Sequence, residues 1–444
     1  MLNRRQLLQG TAVFALAGLA PRWAFADDPA PIVFVHGDSD AAAIWQTTIW
    51  RFESNGYPRD RLFAISFTDP QARDDDTVAQ PNRSSTQDQL RELTAFIDDV
   101  KKKTGAAKVA IVALSRGGYS TRGYVAANPA SVARAVICGT PNHGVFAIDA
   151  LLGSEYNGHG AFLKKLNSGD SEVTAGVPFL TLRSDGFDLY AQPDGRFIGS
   201  PGVQTNVTAD GPALKGATNV LLGQVDHRET ACSPRAFAEM YKFIVGRAPS
   251  RIAIAPEAEI VLDGLVTGVA EGTTTNRPVE GAMVEVYRVS AETGERQGGP
   301  AHSKKTGADG VWGPAKFDAV SPLEFVVTVA GAPITHIYRS AFPRSFAQLN
   351  LKPATALAKD ETDAAAIVRM DRPRGYFGLP RDTILLDGKE PTDVPAGVPG
   401  TWHTKLKLVA VEDRPIVAEF NEERIVARAW PAKDGHVSVV ELTG

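Results

Sequence analysis

Between residues 31 and 247 the chain alternates two textures, and that alternation leaves it very few folds. Short apolar runs stand at Ile32–Val35, Leu62–Phe67, Val109–Leu114, Ala133–Cys138, Pro178–Leu182 and Asn219–Gly223. Runs this short and this poor in polar residues read as strands covered on both faces. Helical patterns lie between them. In Thr86–Lys103 the residues Leu90, Leu93, Ile97 and Val100 fall on one face. Thr86 and Gln89 fit a capping box, Lys101–Lys103 occupy the last turn, and Gly105 ends it. Ser233-Pro234 opens a second helix that runs to about Gly246. Strands and helices in alternation form a parallel sheet with helices on both faces.

After Ala248-Pro249-Ser250 the texture changes. Arg251–Gly444 is rich in Val, Thr and Pro and has no long helical period. Val284–Tyr287 alternates in polarity, and Ala308-Asp309-Gly310 and Asp434-Gly435 mark tight turns. An all-β region is expected, as modules at 251–355 and 360–444 that can also pack as one β domain. Within it Val279–Pro314 resembles a prealbumin-like β-sandwich of the carboxypeptidase regulatory type, on the stretches VEGAMVEVYRV and TGADGVWGP.

Residues 1–26 read as an address. Arg4-Arg5 precede Leu7-Leu8, a ten-residue apolar run Thr11–Ala20 follows, and Ala24-Phe25-Ala26 offers a cleavage site. A bilayer needs about 20 apolar residues, so the run is too short to span one. An export signal is expected, by the twin-arginine route on the Arg pair, although Leu7 stands where Phe is commoner. A general secretory signal or an uncleaved anchor is the alternative. The rest, 27–248, is the expected α/β domain. Loss of Arg4, Arg5 and Arg22 with no acid takes the net charge from −4 to −7. That balance gives no basic footprint, so no nucleic-acid partner is expected. Two cysteines make neither a disulfide scaffold nor a four-cysteine zinc site. Cys138 and Cys232 both fall near the carboxyl edge of the expected sheet, as a disulfide or as two buried thiols. With no zinc spacing, phosphate loop or dinucleotide fingerprint, no cofactor is expected.

The chemistry is carried by AKVAIVALSRGGYSTRGY. A buried strand runs into Ala113-Leu114-Ser115-Arg116-Gly117, and a helix follows. A turn this sharp needs small residues two before and two after the serine, and Ala113 and Gly117 meet that need. This is a nucleophile elbow with alanine at its first glycine position. A serine hydroxyl attacks only with a base beside it. His227 follows the last expected strand, in VLLGQVDHRET, and has the right order for that base. His36 and His143 read as structural, and His159 lies in a possible lid. The acid that orients the base is expected after Val177–Leu182, where Asp188, Asp185 and Asp194 are candidates. Asp188, four residues past Ser184, is favoured, and Asp149 serves if the acid sits on another loop. The oxyanion hole is expected from the backbone N–H groups of Arg116 and Asp38, with the Asp38 carboxylate turned away.

The segments Val33–Gly37, Arg51–Pro58 and Ala113–Gly117 resemble bacterial lipases of the α/β-hydrolase superfamily. Arg51–Pro58, with His336–Arg344, resembles two-domain lipases that carry a C-terminal β-barrel domain, as in archaeal long-chain lipases. The resemblance implies an α/β-hydrolase fold followed by an all-β region, hydrolysis of carboxylic esters, an ester or lipid substrate, and a β domain that helps bind long chains. Likeness to extracellular polyester depolymerases is weaker and rests on the first half alone. A secreted binding protein on a hydrolase scaffold is the reading from another class. Residues 146–176 are either a lid over the serine, able to touch lipid, or a core-packed pair of helices. The loop Thr68–Ser85, with Asp74–Asp76, reads as solvated. The oligomeric state is left open.

Overall fold

The computed structural model describes residues 28–444, so the signal read in residues 1–26 lies outside the described residues. Six strands make one sheet: β1 (Ile32–Val35), β2 (Leu62–Ile65), β3 (Val109–Leu114), β4 (Val132–Cys138), β5 (Phe179–Ser184) and β6 (Thr218–Leu222). Their order is β2-β1-β3-β4-β5-β6, and every pairing is parallel. The direction of winding reverses between β1 and β3, the switch point at which open α/β sheets bind ligands.

Alternate side chains along the strands feed two cores. Ile32, Phe34, Val112, Leu114 and Val136 pack with the helices Gln46–Ser54 and Pro234–Val245. Val33, Val35, Ile111, Ala113 and Ile137 pack with Thr86–Thr104 and Gly117–Ala127. Coverage on both faces is why these strands are apolar throughout rather than alternating. The helix Thr86–Thr104 ends at Gly105, which takes φ +68. Its capping box, however, lies one residue before the expected one. The Ser85 hydroxyl accepts from the Asp88 N–H at 3.1 Å, and the Asp88 carboxylate accepts from the Ser85 N–H at 2.8 Å. Thr86 is already helical, and its N–H donates to Asp76 Oδ1 at 2.8 Å.

The chain beyond residue 250 is mostly strands. Seven of them form a single sheet, in which the last strand, His436–Glu441, lies between Ile334–Arg339 and Ala366–Asp371 and runs parallel to both. The two β modules are thus stitched together by the C-terminal strand. The hydrolase-like half shares a core with this region. Trp50 is fully buried with its ring edge-on to Phe342 and Phe346, 6.2 Å between centroids in each case, and its indole N–H donates to Ser345 O at 2.9 Å. Arg344 pairs with Glu53 at 2.8 Å across the same seam.

Candidate active site

At the end of β3 the chain turns through Ser115, which holds φ +52. A side chain in that region of backbone space costs energy, so the surroundings must hold it there. The Ser115 N–H donates to Cys138 O at 2.8 Å, and the Thr140 hydroxyl donates to Ser115 O at 3.0 Å. Gly117 is required by close approach: a Cβ there would stand 2.5 Å from His36 O and 2.9 Å from Val35 O. Ala113, two residues before the serine, is fully buried within β3.

His227 follows β6, and its Nδ1 lies 2.8 Å from Asp188 Oδ2. Asp188 is oriented in turn, since its Oδ1 accepts from the Tyr190 N–H at 2.9 Å. A carboxylate accepts and does not donate, so Nδ1 carries the imidazole proton and Nε2 keeps its lone pair. That Nε2 is buried and has no hydrogen-bond partner among the described residues. The Tyr190 ring stands edge-on to the imidazole, 4.6 Å between centroids. Gly139 follows Cys138, whose carbonyl holds the Ser115 N–H, and lies against the histidine. It has φ +53, and a Cβ on it would come 2.8 Å from Thr230 Oγ1 and 3.3 Å from His227 Cε1.

The other candidate acids are engaged elsewhere. Asp185 accepts from the N–H groups of Gln224 (2.9 Å) and Phe187 (3.2 Å), which ties the loop after β5 to the loop after β6. Asp194 pairs with Arg196 at 2.5 Å, and exposed Asp149 lies 2.8 Å from His159. His143 contacts Glu172 at 3.0 Å.

The N–H groups of Asp38 and Arg116 have no acceptor among the described residues. The Asp38 carboxylate accepts from the Ala72 N–H (2.7 Å) and the Ser39 hydroxyl (3.0 Å). His36 holds the same loop: Nε2 accepts from the Phe67 N–H at 3.0 Å and Nδ1 donates to Gly37 O at 2.7 Å. Burial pushes its pKa down to about 3, so it stays neutral and keeps this one tautomer.

The Arg116 side chain is fully buried, ion-paired with buried Glu155, and donates to Pro70 O and the Ser84 hydroxyl, each at 3.0 Å. This corrects the reading of 68–85 as a solvated loop. One guanidinium staples it to the elbow, and the Asp76 N–H adds a bond to Gly153 O at 2.8 Å. The same contacts anchor 146–176. Arg122 holds its far end through Leu166 O (3.1 Å) and Glu172 O (2.9 Å). The tip at Leu151 and Leu152 stays 48% and 53% exposed. Cys138 and Cys232 are both free and buried, and burial drives both thiol pKa values up.

The β region reaches this site, which no local pattern announced. Asp226, next to the histidine, accepts from Arg372 at 2.9 Å and from the Tyr376 N–H at 2.8 Å, and Glu229 pairs with Arg381 at 2.8 Å. Arg228 pairs with Asp40 at 2.8 Å and lies over the Tyr376 ring. The partners from the β region stand 143–155 residues from Asp226 and Glu229 in sequence. Among the described residues no group of three or more His, Cys, Asp or Glu is arranged to hold a metal ion, and no helix is long and apolar enough to cross a membrane.

Comparison with known proteins gives two family matches. The class 2 lipase family matches residues 29–173, and the lipase C-terminal domain family matches 259–355. The first match contains Asp38, Ser115 and Arg116 and stops before Asp188 and His227. Among solved structures, lipase B of Aspergillus fumigatus aligns at 16% identity and TM-score 0.37, over 51% of this chain and 55% of that one. The Bacillus licheniformis lipase BlEst2 in its propeptide form aligns at 18% identity and TM-score 0.37, over 60% and 59%. Carboxylesterase CesB of Bacillus subtilis aligns at 14% identity and TM-score 0.29, over 50% and 85%. The chain thus spans little more than half the length of either lipase. The chain is thus similar to class 2 lipases over 29–173 and to the lipase C-terminal domain over 259–355, on a parallel sheet with helices followed by a region of mostly strands.

Proposed function

We propose that the protein is an exported serine hydrolase of carboxylic esters, of the lipase or carboxylesterase type. The observations that carry this reading are the buried Asp188–His227 pair with its unpartnered Nε2 and the strained turn at Ser115. In the reaction, Nε2 takes the Ser115 proton as Oγ bonds to the ester carbonyl carbon. The oxygen that gains charge is held by the Asp38 and Arg116 N–H groups. Collapse breaks the ester C–O bond, and the imidazolium returns its proton to the leaving alcohol. Water, deprotonated by the same nitrogen, then releases the acid from Ser115. Asp188 keeps the proton on Nδ1 throughout.

The exposed Leu151–Leu152 tip is the part of the hydrolase half that would meet a lipid surface. Export rests on Arg4, Arg5 and the apolar run that follows them. Lysine at both arginines should keep the protein in the cytoplasm if the twin-arginine route is used. A fluorophosphonate probe should label Ser115, and Ser115→Ala should abolish hydrolysis of p-nitrophenyl esters with an unchanged melting temperature. Labelling at another residue, or full activity in the variant, would overturn the assignment. Turnover of triglyceride emulsions against polyester films separates a lipase from a depolymerase.

A further inference from the structure

A cavity of about 730 Å³ lies between the hydrolase half and the β region. That is within the ~300–1,000 Å³ typical of small-molecule sites. Its hydrolase wall begins at Ser39 and Asp40, directly after the loop that carries the proposed oxyanion donor Asp38. Asp40 and Ser115 flank the same glycine: a Cβ on Gly37 would stand 3.0 Å from Ser115 Cβ and 3.5 Å from Asp40 Oδ2. Ala41, Ile44, Ile337, Leu349 and Val439 supply apolar wall.

Not every cation in the wall is held in an ion pair. Arg228 has Asp40 and Arg339 has Glu441, so those cations are neutralised locally. Lys352 has neither an ion pair nor a hydrogen bond among the described residues, although it lies in the field of Asp40 and Glu441. Burial lowers its pKa. Arg374 donates only to backbone carbonyls, those of Thr443 and Leu442, each at 2.7 Å. Asp371 also lines the cavity with no side-chain partner, and burial beside Glu441 lifts its pKa to about 7. Buried cations are normally held in ion pairs, and Lys352 and Arg374 are not, although Asp40 and Glu441 act on the first and Glu441 and Glu423 on the second. Two cations outside any ion pair, with the Asp371 carboxyl that burial holds partly protonated, therefore form a lining open to an anion, with apolar wall alongside.

We propose that this interdomain cavity binds an amphipathic organic carboxylate, its head at Lys352 and Arg374 and its chain along Ile44, Ile337 and Val439. Such an acid is the class that ester hydrolysis would release, and only that link to metabolism rests on the proposed activity. The chemistry of recognition is independent of Ser115.

Sodium octanoate titrated calorimetrically into the Ser115→Ala protein tests this. It should bind one per chain and raise the melting temperature, while 1-octanol, with the same chain and no charge, should bind at least tenfold more weakly. Lys352→Met should weaken octanoate at least tenfold, and Lys352→Arg should restore it. Without ligand, Lys352→Met should melt no lower than its parent, because it removes a buried charge that no ion pair or hydrogen bond holds. In the wild-type background the same change should leave p-nitrophenyl acetate hydrolysis intact, so failure of the cavity proposal is distinguishable from failure of the serine assignment. No octanoate binding, equal binding of octanol, or equal binding by Lys352→Met at unaltered fold would overturn the proposal.

Discussion

Replacing Asp188 by asparagine tests the proposed chemistry at its narrowest point. The structure dictates which way the new amide must face. Asp188 Oδ1 accepts from the Tyr190 N–H at 2.9 Å, and Oδ2 meets His227 Nδ1 at 2.8 Å. An asparagine keeps the first bond only by placing its oxygen toward Tyr190. Its NH2 then points at Nδ1 and can only donate. The imidazole is forced to carry its proton on Nε2, the atom that must accept from Ser115. The fold loses almost nothing, because both hydrogen bonds survive with their directions changed. The rate loses the base. Where a buried triad acid has been treated this way, the fall is about 10⁴-fold, or about 5.5 kcal/mol of transition-state stabilisation. The assay is kcat/KM on p-nitrophenyl butyrate beside a thermal melt. Asp185→Asn is the control: its two backbone bonds close a loop and it does not touch the histidine, so it should cost about 1 kcal/mol of stability and less than tenfold in rate. If Asp188→Asn keeps more than a tenth of the activity while Asp185→Asn collapses, the acid has been misassigned and the tautomer argument is wrong.

Arg116→Met leaves the backbone donor in place but strands buried Glu155, and should destabilise the fold by about 3–5 kcal/mol in chemical denaturation. Gly139→Ala puts a methyl group 2.8 Å from the Thr230 hydroxyl and crowds the imidazole, so kcat/KM should drop about 10–100-fold with little change in KM. Trp50→Ala empties the seam between the two halves, and should cost about 3–5 kcal/mol and expose both halves to limited proteolysis. Acid titration of stability should show two opposed contributions. His36 has a native pKa near 3 against about 6.5 unfolded, so its share is complete above 6.5 and is lost as pH falls toward 3. Asp371 runs the other way: its native pKa near 7 lies above the unfolded 3.8, so stability it confers at low pH disappears as pH rises to 7. His36→Asn should flatten the acid limb, and Asp371→Asn should raise the melting temperature at pH 8 but not at pH 4.

Much of the hydrolase half can be read from local pattern because its causes are local. Burial on both faces makes central strands such as β1 and β3 apolar along their length, and all six strands, the largely exposed edge strand β6 included, lie within two residues of the runs that announce them. Ser115 is legible because a tight strand-to-helix turn restricts its neighbours to small residues, and Gly117 shows how strictly, with the Val35 and His36 carbonyls where a side chain would go. The one-residue error in the capping box has a local cause too: Ser85 and Thr86 both offer a hydroxyl, and a sequence does not show which lies outside the helix.

Other features depend on residues far apart in the chain. Asp188 and Asp185 look equivalent in a loop of the same composition, and only the folded path of that loop brings one of them to His227. The stretches Arg51–Pro58 and His336–Arg344 share no pattern, yet the fold sets them at one seam through the Arg344–Glu53 pair. Sequence leads to Arg116 only as a proposed backbone donor and gives no sign of its side chain's hold on 68–85 and Glu155. The clamp of Arg372 and Arg381 on Asp226 and Glu229, and the unpaired Lys352 and Arg374 in the cavity behind it, are decided by tertiary structure alone. Propensity and periodicity act over a few residues and so leave a mark on the sequence. A charge's partner, or its lack of one, is settled only when distant segments are brought within a few ångströms.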